Sequence, residues 1–271
     1  AVVYHDGDNE CEVLDITNVG ILTKDGGGKN LTLKAKMPVK TIKDSYTMIG
    51  GKRHDCCNEA NEVTYLYIDN IGREQQLIVR AYNDGVAFRY VFDALQHTRP
   101  TEELTTYRIT EGRKRWMQKW TEPYEAFFPL STTGESENKR WGYPALLQPS
   151  DKVFALITEA GLERFNSASS LYNDRNKELY RVVMDENLQN TTGRWRSPWR
   201  VIIVGELKDV VASSLVTDVS EPCRIDDTSW IKPGSVSWIY WAYNHGSNDY
   251  QIVRKYVDMA VEMRWPYVLI D

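Results

Sequence analysis

The carboxylates that stand out in this chain lie among aromatic side chains or at the end of a strand. Glu122 and Glu125 fall in Trp120-Thr-Glu-Pro-Tyr-Glu-Ala-Phe-Phe128. Carboxylates in such a setting suit a hard cation or the hydroxyls of a sugar. The competing reading is solvated surface charge, which the local sequence alone favours. Asp271 closes Pro266-Tyr-Val-Leu-Ile-Asp271, a short apolar run that reads as a strand. Ligands of parallel α/β folds gather at the carboxyl ends of strands, so Asp271 is a candidate ligand contact. Trp241 and Tyr243 end or follow the preceding apolar run, Ser237-Trp-Ile-Tyr-Trp241, and share that location. Aromatic faces stack on the C–H faces of sugar rings, and they are equally large core residues.

Other chemistries find little support. His5, His54, His97 and His245 share no metal-ligand spacing, and no His-Glu-x-x-His occurs. No Gly-x-Ser-x-Gly is present, and Gly26-Gly27-Gly28 lacks the Lys-Ser/Thr of a phosphate-binding loop. Cys11, Cys56, Cys57 and Cys223 form no Cys-x-x-Cys, so they read as free or buried thiols, with a disulfide between distant cysteines left open. A net charge of −5 argues against a nucleic-acid or anionic-membrane partner. No apolar run approaches the roughly 20 residues of a membrane span. The first residues show no basic region followed by an apolar stretch, so a signal peptide is either absent or removed.

Residues 1–225 read as mainly β. Leu31, Leu33, Ala35 and Met37 alternate with polar residues, the period of a half-buried strand. Residues 76–82 and 86–92 flank Asn83-Asp84-Gly85, a hairpin signal, with Val86, Phe88, Tyr90 and Phe92 on one face. Residues 153–158 and 201–204 are unbroken apolar runs, expected of strands buried on both sides. Many strands at close spacing imply a large antiparallel β-sandwich. Residues 113–149 resist strand assignment and read as a long ordered loop, because their Trp and Tyr argue against disorder. Residues 205–235 read as a connector. Next comes a strand over 237–241, then a helix over 248–263 capped by Asn248 with Gln251, then a strand over 266–271. A βαβ unit implies parallel strands, and a parallel sheet needs more of them. The expectation is therefore the front portion of a larger protein, ending as a parallel sheet or barrel begins.

The chain resembles glycoside hydrolase family 97, a family of bacterial α-glucosidases and α-galactosidases. The resemblance rests on Tyr82-Asn-Asp-Gly-Val-Ala-Phe-Arg-Tyr90, Leu156-Ile-Thr-Glu-Ala-Gly161 and Ser197-Pro-Trp-Arg-Val-Ile202, followed by Ser237-Trp238, Asn248-Asp-Tyr250 and Tyr267-Val-Leu-Ile-Asp271. It implies a β-supersandwich over residues 1–225, then a linker and the start of a catalytic (β/α)8 barrel over 226–271. It also implies export, typically to the periplasm, an α-linked oligosaccharide substrate, and a bound calcium ion. One calcium ligand is then Glu125, with Glu122 the next match. The two catalytic carboxylates belong to later barrel strands, so this chain holds no catalytic residue and is itself inactive. Trp241 and Asp271 become substrate contacts. Two other readings remain: a non-catalytic carbohydrate-binding β-sandwich, with its aromatics in a row on a sheet face, and a purely structural domain.

Overall fold

The computed structural model describes residues 1–7, 9–134, 139–173, 176–185, 187–242 and 244–271. The chain divides into two compact units, Ala1–Pro222 and Cys223–Asp271.

Among the described residues, the first unit holds two large antiparallel sheets. One has six strands, in the order Val2–Asp6, Asn9–Asn18, Thr106–Arg108, Leu179–Met184, Ser169–Asn173 and Lys139–Trp141. The other has eleven. Its central strands run Ala145–Gln148, Phe154–Ala160, Trp199–Gly205, Gly85–Thr98, Glu74–Tyr82 and Asp55–Ile68. Tyr82 pairs with Gly85, so Asn83-Asp84 make the two-residue turn that the sequence announces. Phe88, Tyr90 and Phe92 from the large sheet share one core with Leu14, Tyr107, Leu171 and Val182 from the small one. That shared core makes the pair of sheets a sandwich.

The large sheet is also covered on its outer side. Two short helices, Leu207–Ala212 and Leu215–Asp218, occupy the stretch that reads as connector. Their Val210 and Leu215, with Val219, pack on Ile78, Ala87, Val91, Val201 and Ile203. A leucine buried as fully as Leu215 contributes about 1.5–3 kcal/mol. The strand Trp199–Gly205 is thus buried along its whole length. Ile202 and Val204 point into the sandwich, while Val201 and Ile203 meet the helices, which explains its unbroken apolar run.

Other expectations change as well. Thr32–Lys36 lies at the sheet edge, and its register shifts between Leu33 and Ala35. The bulge breaks the common face, and Leu33 is 52% exposed. Residues 113–149 are not one loop. They contain the strands Lys114–Trp116, Leu130–Ser131, Lys139–Trp141 and Ala145–Gln148, too short to show a period. The irregular stretch shrinks to residues 117–129. Residues 135–138 lie outside the described residues.

In the second unit, Val236–Trp238 pairs in parallel with Tyr267–Leu269. The 3-10 turn Gly246–Asn248 and the helix Tyr250–Glu262 connect them. The helix cap is Asp249, whose carboxylate accepts from the N–H groups of Gln251 at 2.8 Å and Ile252 at 3.4 Å. Asn248 is taken up by the 3-10 turn and does not cap. Ser237 Oγ donates to the Tyr256 carbonyl at 3.2 Å, tying strand to helix.

Candidate functional site

The carboxyl end of the parallel pair gathers polar and aromatic groups. Trp238 ends its strand, and the register sets it opposite Leu269, two residues before Asp271. Its indole Nε1–H donates to Asp271 Oδ2 at 3.1 Å. The backbone N–H of Asp271 donates to Ser247 Oγ at 3.1 Å, which ties the chain end to the 3-10 turn. The Trp241 ring lies 5.3 Å from the Trp238 ring and is 83% exposed. Tyr240 stacks on Trp238 at 6.3 Å and meets His245 edge-on at 6.0 Å. The structure therefore brings Trp241 and Asp271 to one end of the sheet, with Trp238 between them. Tyr243 lies outside the described residues. An open aromatic face beside a carboxylate suits a ligand that is apolar on its C–H face and rich in hydroxyls at its edge.

The second candidate is the loop 117–129 of the first unit. Its root is pinned to the strand Lys139–Trp141. Trp120 N–H donates to the Arg140 carbonyl at 2.9 Å, and Gly142 N–H to the Gln118 carbonyl at 3.1 Å. The Arg140 guanidinium lies 3.8 Å from the centre of the Trp120 ring, a cation–π contact. Arg140 also pairs with Asp185 and donates to Ser170 Oγ at 2.7 Å. Tyr124 N–H closes a turn on the Thr121 carbonyl at 3.1 Å. Partial burial raises the Tyr124 phenol above its usual pKa, and the charges of Asp185 and Glu159 add to that.

Glu122 and Glu125 project from this loop and are exposed, as are Tyr124, Phe127 and Phe128. Near them in sequence, Gln118 Oε1 and Thr121 Oγ1 are buried with no hydrogen-bond partner among the described residues. All four side chains offer oxygen, the donor that a hard cation takes. The donor type fits such an ion, which takes six to eight oxygens, by rule. Among the described residues, no three His, Cys, Asp or Glu side chains form a group able to hold a metal.

The sequence profile described as glycosyl-hydrolase 97 N-terminal matches residues 1–222. This chain belongs to that family. A probable retaining alpha-galactosidase of Streptomyces bingchenggensis (strain BCW-1) is 26% identical over 266 residues, covering 96% of this chain and 41% of the relative. A retaining alpha-galactosidase of Bacteroides thetaiotaomicron is 25% identical over 234 residues, covering 71% of this chain and 35% of the relative. The chain thus spans about two fifths or less of the curated relatives it matches. A glycoside hydrolase family 97 enzyme from Pseudoalteromonas sp. strain K8, solved with acarbose, superposes with a TM-score of 0.80 at 21% identity. That match covers 97% of this chain and 43% of the other. The sandwich is therefore the fold of the glycosyl-hydrolase 97 N-terminal family. Residue types and strand order point to Asp271, Trp241 and the loop carboxylates. Trp238 and Ser247 escape such reading, because their contacts depend on inter-strand register and on the 3-10 turn.

Proposed function

We propose that this chain is the N-terminal portion of an exported α-glycoside hydrolase, with a galactoside as the preferred substrate. The observation that carries this reading is the likeness to a probable retaining alpha-galactosidase across 96% of the chain, both units included. In this reading Val236–Trp238, the helix Tyr250–Glu262 and Tyr267–Leu269 begin a (β/α)8 barrel. Trp241 offers its face to a sugar ring, and Asp271 accepts a sugar hydroxyl. Export to the periplasm or beyond rests on the family resemblance.

The relatives' names support a retaining reaction. Retention uses an acid and a nucleophilic carboxylate about 5–5.5 Å apart, with a covalent glycosyl-enzyme intermediate. Both groups belong to the part of the relatives that this chain does not span. Glu125, with Glu122 as the second choice, supplies one oxygen to a calcium ion, whose other ligands come from that same part. A bound divalent cation supplies fixed positive charge near developing negative charge. The loop's contribution is to hold a carboxylate in place through Arg140, Trp120 and Tyr124.

The test compares the 271-residue chain with the full-length protein on nitrophenyl α-galactoside and α-glucoside. The full-length protein should cleave the galactoside faster and release the α-anomer first. The 271-residue chain should cleave neither, because acid–base catalysis needs both positioned carboxylates. Turnover by the short chain, or first release of the β-anomer, would overturn the corresponding part.

A further inference from the structure

We infer that Trp238 is the positioning residue of the sugar site: its indole N–H fixes one oxygen of Asp271 so that the other accepts a ligand hydroxyl beside Trp241. This rests on the proposed sugar site and goes one step further into it. Two contacts hold Asp271. Ser247 Oγ accepts from its backbone N–H and fixes where the residue leaves the strand, and Trp238 Nε1–H donates to Oδ2 and fixes the side chain, each at 3.1 Å. Trp238 is half-buried, and its ring centre lies 6.3 Å from that of Tyr240 and 5.3 Å from that of Trp241. The same indole therefore touches both groups assigned to the ligand.

A bland alternative is an indole N–H that simply finds the nearest acceptor. Magnitude separates the two. A solvent-accessible hydrogen bond contributes little net stability, because water replaces it when it is lost. Its loss would still let the carboxylate rotate. A structural role predicts a change in stability with ligand affinity intact, and a positioning role predicts the reverse.

The experiment is a double-mutant cycle on the full-length protein, with galactose as the probe and calorimetry as the readout. Trp238→Phe and Asp271→Ala should each weaken binding about tenfold or more, on the scale of a hydrogen bond to a charged group. The double variant should be no weaker than Asp271→Ala alone, because Trp238 then has no acceptor to hold. The thermal midpoint of Trp238→Phe should stay within about 2 °C of the parent. If Trp238→Phe unfolds the protein, a benzothienyl side chain at position 238, with sulfur in place of the N–H, keeps the ring shape and should show the same tenfold loss. Additive losses, or unchanged affinity without the N–H, would overturn the positioning role and leave the sugar site standing. Unchanged affinity in Asp271→Ala would remove the sugar site itself, and the positioning role with it.

Discussion

Arg200 grips Glu103 with two parallel hydrogen bonds, Nε at 2.8 Å and Nη2 at 2.6 Å, and both side chains are 1% exposed. Nη1 reaches Glu159 and also donates to Ser169 Oγ at 2.9 Å. Ser169 belongs to the six-stranded sheet and Arg200 to the eleven-stranded one, so this network links the two layers.

The network yields a stability prediction. Arg200→Met keeps much of the side-chain volume but leaves Glu103 buried without its partner. Breaking one side of a buried pair costs about 3–5 kcal/mol. Urea unfolding should show a loss of that size, and Glu103→Gln should lose less because its amide oxygen still accepts one bond. A loss under about 1 kcal/mol for Arg200→Met would mean that water reaches the carboxylate and solvates it.

Acid should expose a second ion pair. Arg73 holds the Asp25 carboxyl down to a pKa of about 2, helped by the Thr23 hydroxyl at 2.7 Å and opposed by partial burial. A depressed carboxylate adds stability above its unfolded pKa and loses it as pH falls through the folded value. The window therefore runs from the ordinary value, 3.8, down to about 2. The pair is partly open to solvent, so the effect is small. Asp25→Asn should be less stable than the parent at pH 5, and the gap should close by pH ~2. A gap that stays constant across that window would sink the assignment. Carboxyl NMR should give a midpoint for Asp25 well below that of an exposed aspartate.

What could be read in the sequence follows physical scale. Phe88, Tyr90 and Phe92 announce their shared face because the strand Gly85–Thr98 is long enough to show its period. The unbroken run 201–204 announces burial on two sides, but not what covers the outer one. The helices Leu207–Ala212 and Leu215–Asp218 are six and four residues long, under two turns, and leave no helical period. Position alone sets Asp271 and Trp241 at the end of a parallel pair. The Trp238–Asp271 bond joins residues 33 apart in sequence through the register of two strands, and local pattern carries no record of it. The choice of Asp249 over Asn248 as cap turns on a 3-10 turn that propensity does not distinguish.

Gly142 tests how tightly the loop 117–129 is seated. A Cβ at this position would lie 3.0 Å from the Tyr124 ring and 3.1 Å from Gln118 Nε2. Both distances are shorter than ordinary packing allows, so neighbours must move. Gly142→Ala should cost about 1–3 kcal/mol, the usual range for an overpacked site. Tyr124→Ala removes one of the two clashing groups, so adding it should restore part of that loss. Strictly additive losses on thermal melting would show that Tyr124 is not the group displaced.

Calcium affinity is the most direct test of the loop's role in the full-length protein. Glu125 follows Pro123 and Tyr124, and Ala126, Phe127 and Phe128 come next. The Arg140–Trp120 stack fixes the root of this segment, so the carboxylate departs from a held base. Glu125→Gln keeps the shape and removes the charge. A hard cation binds a carboxylate more strongly than a neutral amide oxygen, so calcium affinity and glycosidase activity should fall together. Glu122→Gln should leave both near the parent level. Arg140→Ala frees the Trp120 ring without touching a proposed ligand, and should weaken calcium binding less than Glu125→Gln does. Calorimetry showing unchanged calcium binding in Glu125→Gln, with a loss in Glu122→Gln, would move the ligand three residues upstream. No loss in either would remove this loop from the metal site.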